Sequence, residues 1–298
     1  MKYRFNLSQL VILFSVFSLL LIVSCTKEKS QSTVDEQEVM ASKASSESDS
    51  QAEIVFNGVF DDAMGVSDEV GMAGTGVFGR PNACPTVTVI HLAAGSQFPI
   101  RVVLNFGANG CVGNDGHFRK GKVITEYTNR LIHPGASATT TFDGFYFDSI
   151  HVEGVHIITN TSNLVNTTPP FRQFKAEVRN GKLSVPSGNY IAWNSVKTIS
   201  QFEGHATNDP RDDIFKVEGS ASGTAKRGAL LVAWQSTITE PLIKRFNCRW
   251  IVKGRVRTVR LNNTVNSPWV AVLDFGAGNC DNLAVITING VSHQITLP

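Results

Sequence analysis

His151-Val152-Glu153-Gly154-Val155-His156 places three metal-capable side chains within six residues. On a strand, alternation puts His151 and Glu153 on one face and His156 on the other. The set lacks the helical His-Glu-x-x-His spacing that brings two imidazoles to one zinc, so solvent-facing strand residues around a turn at Gly154 are expected instead. Asn208-Asp209-Pro210-Arg211-Asp212-Asp213 gathers three carboxylates, and oxygen-rich loops can hold calcium. Its spacing matches no EF-hand and Arg211 offsets part of the charge, which leaves a solvated turn. Asn114-Asp115-Gly116-His117 reads as another turn. Neither a metal nor a cofactor is expected.

Arg249, Lys253, Arg255 and Arg257 alternate with Trp250, Val252, Gly254 and Val256, so one face of that segment is largely basic. Such a stripe can contact lipopolysaccharide or an acidic glycan, although pairing with acidic cross-strand neighbours is the more ordinary use. Phe142, Phe145, Tyr146 and Phe147 cluster around Asp143-Gly144, while Trp193, Trp234, Trp250 and Trp269 lie elsewhere. Exposed, these rings would stack on sugars; buried, they are core. No Gly-x-Ser-x-Gly elbow, no Cys-His pair with a family's spacing and no paired acids appear, and the chain reads as non-catalytic. Gly74-Thr75-Gly76-Val77-Phe78-Gly79 matches the dinucleotide fingerprint only literally. No apolar strand precedes it, and Pro81 and Pro85 stand where the phosphate-binding helix would begin.

Cys25 carries a different chemistry. Leu10 to Val23 is a run of fourteen almost wholly apolar residues preceded by Lys2 and Arg4, the layout of a secretory signal and too short to span a bilayer. The ending Ile22-Val23-Ser24-Cys25 resembles the lipobox of bacterial lipoproteins. That resemblance implies removal of residues 1–24 and acylation of Cys25, which would tether the chain to membrane lipid. Thr26-Lys27-Glu28 loosely resembles the charged tripeptides that send Bacteroidota lipoproteins to the outer face of the outer membrane. Without Lys2 and Arg4 the chain carries 25 residues of each sign. Nucleic acid is therefore not expected as a partner, since phosphate-backbone binding needs a basic excess.

The elements that position these residues follow from patterning. Residues 25–53 are rich in Ser, Glu, Gln and Lys, with too few large apolar side chains to offset the entropy of ordering, and a disordered tether is expected. Over 54–83 the spacing of Phe56, Val59, Phe60 and Met64 predicts a short helix, followed by a Gly-rich strap. From residue 84 to 298, fourteen short alternating runs separated by turns predict an all-β antiparallel meander, sandwich-like or curled. Asn180-Gly181 and Asn289-Gly290 fall between runs and read as two-residue type I′ hairpins.

Leu104-Asn105-Phe106-Gly107-Ala108-Asn109-Gly110-Cys111 recurs 169 residues later as Leu273-Asp274-Phe275-Gly276-Ala277-Gly278-Asn279-Cys280, identical at five of eight positions. Each copy has a Cys upstream, at Cys84 and Cys248. Four cysteines in an exported chain suggest disulfides. Pairing within each copy, Cys84 with Cys111 and Cys248 with Cys280, closes the open end of a hairpin; the rival is Cys84 with Cys248 and Cys111 with Cys280. In the first copy Val87, Val89 and His91 then oppose Ala108, Phe106 and Leu104. The second needs one bulge, near Gly276 or Gly278, to bring its apolar residues to one face.

The lipobox, Phe142-Asp143-Gly144-Phe145-Tyr146, Val152-Glu153-Gly154, Cys248-Arg249-Trp250-Ile251-Val252, Leu273-Asp274-Phe275-Gly276 and Cys280-Asp281-Asn282 together resemble the β-rich lipoproteins common in Bacteroidota. Asp148-Ser149-Ile150 resembles the three-residue O-glycosylation site of that phylum. The resemblance implies an extracytoplasmic β protein and supplies no mechanism. The expectation is a lipid-anchored, non-catalytic outer-membrane protein for binding, adhesion or structure. A glycan-binding accessory of polysaccharide uptake is the alternative, distinguished by an exposed row of aromatics.

Overall fold

The computed structural model describes residues 25–64, 85–113, 116–162, 172–204, 212–245, 248, 250–262 and 269–297, with helix side chains described from Asp35 onward. The chain forms two compact units, Met1–Ala41 and Ser42–Pro298. One continuous helix among the described residues, α1 (Cys25–Met64), runs where a disordered tether and then a short helix were expected. The described part of the first unit is helical; in the second, residues 42–64 pack against the sheet.

Among the described residues fourteen strands follow: β1 (Thr86–His91), β2 (Ile100–Asn105), β3 (Cys111–Val112), β4 (Phe118–Tyr127), β5 (Ser137–Phe147), β6 (Ile150–Asn160), β7 (Gln173–Ser184), β8 (Tyr190–Glu203), β9 (Ile214–Arg227), β10 (Leu230–Arg245), β11 (Lys253–Arg260), β12 (Val270–Ala277), β13 (Leu283–Ile288) and β14 (Val291–Thr296). All pair antiparallel in chain order as one open sheet, with β3 attached to β4 beside the main path. The all-β meander is the observed class.

Strand alternation sets the two faces. Along β8, Ile191, Trp193, Lys197 and Ile199 are buried on the inner face while Asn194 and Val196 are exposed on the outer. Bulges bend the sheet so that β4 to β10 all reach the helix. At Gly154 and Gly219 the backbone takes φ of +115° and +135°. An added Cβ there would come within 2.8 Å of Gly181 Cα and 2.2 Å of Val196 O, so only glycine allows the neighbouring strand so close.

Asn289-Gly290 is the expected two-residue turn, joining Ile288 to its cross-strand partner Val291 with positive φ at both central residues. Asn180-Gly181 is not. Two expected strands are one continuous β7, and Asn180, at φ +52°, sits in a bulge where the pairing with β8 skips from Val178 to Gly181. An Asn-Gly pair supplies left-handed backbone, which serves a bulge as well as a turn.

In the first duplicated segment Val87 pairs with Leu104 rather than Ala108, a shift of four residues that leaves the same side chains on the same face. The ladder ends early because Asn105 Oδ1 accepts the Gly107 N–H at 2.9 Å, turning the chain so that Cys111 pairs in β3 with β4. The second segment repeats the device: Asp274 Oδ1 accepts the Gly276 N–H at 2.8 Å. The expected bulge lies there, between the Lys253–Ala277 and Arg255–Asp274 pairs, and brings Val256 opposite Leu273. Cys248 and Cys280 are bonded across the open end of β11 and β12, with Cα atoms 5.7 Å apart, which excludes the rival pairing. Cys111 is also disulfide-bonded. Cys84 lies outside the described residues.

Candidate functional site

Most of residues 42–64 are buried, from Ala52 and Val59 at 0% exposure to Ile54 at 7%, while Lys43, Glu47, Gln51, Asn57 and Asp62 are half-buried. Two ladders explain how a polar segment enters a core. Ala52, Phe56, Val59, Phe60 and Ala63 form the apolar one: Phe56 stacks on Trp193 at 5.5 Å, and Phe60 meets Phe174 and Phe215 edge-on. Gly58 has no side chain because Phe147 lies where its Cβ would be, 2.7 Å from Cε2.

The polar ladder is Asp49, Glu53, Asn57 and Asp61, spaced by one helical turn and a little more, so the four share a face. Asp49 Oδ1 accepts both indole N–H groups, from Trp193 at 2.8 Å and Trp234 at 3.0 Å. Glu53 is paired with Lys197 at 3.0 Å and Asp61 with Lys244 at 2.5 Å, with all four side chains at most 8% exposed. Beside the ladder, Asp62 accepts from Arg119 Nε at 3.1 Å. Asn57 donates to Glu53. The inner face of the sheet is thus a row of cations and N–H donors, and the helix supplies the matching acceptors. Buried charges persist only when paired and hydrogen-bonded, and these are.

Arg119 also lies over the Phe147 ring, 4.8 Å from its centroid. His117, expected in a solvent turn, is buried on the same ring, with Nδ1 bonded to an Asp148 carboxylate oxygen. Asp148 further accepts the Phe118 N–H at 2.8 Å, so it holds the β5–β6 turn to the start of β4. His156 is fully enclosed beside Phe56, and burial pushes its pKa down to about 4, leaving the imidazole neutral.

His151 and Glu153 share the outer face as alternation requires, 3.7 Å apart, with Lys182 also 3.6 Å from Glu153, while His156 points inward. Among the described residues no three His, Cys, Asp or Glu side chains group to hold a metal ion. Residues 205–211 lie outside the described part of the carboxylate loop. Asp213 is not a solvated turn residue; it is buried and accepts from Gln201 Nε2 at 2.6 Å.

Lys253, Arg255 and Arg257 stand together on the outer face, and Arg249 lies outside the described residues. Arg255 bridges Asp274 at 2.7 Å and Glu240 at 2.6 Å, so acidic neighbours on both flanking strands neutralise the middle of the stripe. Burial raises the Asp274 pKa, but the Gly276 N–H bond and Arg255 outweigh it and hold that carboxyl below its usual range. Trp193, Trp234, Phe145 and Phe147 are at most 2% exposed and Trp269 is 8% exposed. These are core and closed to a sugar, whereas Phe142, Tyr146 and Trp250 are half-buried.

The chain matches no known family, no curated protein and no solved structure. Sequence reasoning missed Asp49 and Glu53, which lay in the expected tether, and Asp61 and Asp62, which lay in the expected short helix. The four-residue recurrence of their ladder, in phase with the apolar one, was the signal that marks them.

Proposed function

We propose that this chain is a non-catalytic cell-envelope lipoprotein with a binding, adhesive or structural role, held at the outer membrane through acylated Cys25. What supports the non-catalytic reading is the filled interior. The inner face of the sheet is where convergent cations and N–H donors gather, and the chain's own helix supplies acceptors to Lys197, Lys244, Trp193 and Trp234. The helix lies over these charges and takes up their hydrogen bonds, so they are not available to a transition state, and binding falls to the outer face and the sheet ends. The anchor rests on the Ile22-Val23-Ser24-Cys25 ending behind a charged, short apolar run.

Radiolabelled palmitate fed to growing cells tests it. The mature polypeptide should take up label and sediment with membranes, and Cys25→Ser should lose both properties. An unlabelled, freely secreted wild-type chain contradicts the proposal.

A further inference from the structure

At one end of the sheet the β5–β6, β7–β8 and β9–β10 turns meet the end of β14 and the helix around Glu47 to Gln51, leaving a pocket of about 480 Å³. That lies within the ordinary range for small-molecule sites. Its walls are aliphatic: Leu183, Ile191, Ile295 and Leu297, each at most 6% exposed, with Ile150 and Val185 nearer the mouth. Its rim is cationic. Arg227 pairs with Glu47 at 2.9 Å and Lys43 stands 3.8 Å from the same carboxylate, so Glu47 is fully answered. Lys226, exposed beside them and cross-strand from Tyr190, adds a charge that no acid among the described residues balances. Within the lining, the Ser50 hydroxyl is buried with no hydrogen-bond partner among the described residues. The Ser42, Ser46 and Ser48 hydroxyls of the same helix, outside the lining, are likewise buried with no partner among the described residues.

We propose that this pocket binds a free single-chain fatty carboxylate, its alkyl chain between Leu183, Ile191 and Leu297 and its headgroup toward Lys226 and Arg227. At roughly 30 Å³ per water-sized group, about ten to twelve carbons with their headgroup fit and leave little empty space. An apolar wall with a few placed polar groups is the usual make-up of such sites, and net positive charge at the rim selects the anion over the neutral alcohol. The inference does not depend on membrane anchoring: failure of the anchor shows as absent palmitate label, failure of the pocket as absent ligand binding.

Titration calorimetry on the full chain carrying Cys25→Ser, which removes the acylation site and leaves the pocket intact, uses dodecanoate below its micellar concentration. One molecule should bind per chain. Ile150→Trp, which fills the mouth, should weaken binding at least tenfold. Lys226→Glu, an exposed change that spares the core, should weaken dodecanoate several-fold and leave dodecanol unchanged, and it keeps the test decisive if Ile150→Trp fails to fold. No saturable binding of dodecanoate, equal losses for acid and alcohol in Lys226→Glu, or binding only to phosphatidylglycerol vesicles overturns the proposal.

Discussion

Asp49 does the most with one side chain, since its Oδ1 alone accepts from both Trp193 and Trp234. Asp49→Ala leaves two indole N–H groups unpaired in the core, at about 1–3 kcal/mol each. Urea unfolding should show a loss of roughly 2–6 kcal/mol with red-shifted tryptophan emission, and Asp49→Asn, which keeps a carbonyl acceptor, should lose less. His156 sets a pH dependence of definite sign. The unfolded imidazole takes a proton near 6.5, whereas the folded one, pushed down to about 4 by burial, refuses it. Unfolding therefore takes up a proton between those values, and stability falls as pH drops through that window, by roughly 3 kcal/mol in all. His156→Gln should flatten that part of the stability curve. An unchanged slope between pH 6.5 and 4 would show that His156 does not cause it.

Among elements, α1 is the one that composition misjudged. Segment 42–53 has the Ser- and acid-rich make-up of a disordered linker, and an isolated helix of such residues is marginal in water. It is ordered because the surface it meets is equally polar: Trp193, Trp234, Lys197 and Arg227 present donors that need Asp49, Glu53 and Glu47. A count of large apolar residues cannot register a core held by ion pairs. The strands were legible because alternation and turn residues act locally: the alternating runs from Trp269 to Phe275, Leu283 to Ile288 and Val291 to Leu297 fall within two residues of β12, β13 and β14. Bulges were less so, since Asn180-Gly181 has the same backbone chemistry in a bulge as in a hairpin. A double-mutant cycle on Glu53 and Lys197 tests the docking. Lys197→Met should cost about 3–5 kcal/mol by stranding Glu53, and adding Glu53→Met should restore most of it. Additive losses would mean that the pair is not coupled.

Taken whole, the second unit is an open fourteen-stranded sheet that would present a charged inner face to water without its helix. The Cys248–Cys280 bond pins β11 to β12, one half of a duplication that the spacing of Leu273 to Cys280 made visible. The site was the least legible part, because it is assembled from α1 acids and β8 and β10 cations some 140 to 185 residues apart in sequence. On the outer face Arg255 is tied to Glu240 and Asp274, which neutralises the middle of the basic stripe and leaves the end pocket as the better-formed binding site.

Amide hydrogen exchange across residues 42–64 of the full chain tests most directly whether this segment is the core of the sheet. The account predicts protection matching that of β8 and β9, lost together with theirs in denaturant. Exchange within seconds while the strands stay protected would make the segment a loose tether and contradict it.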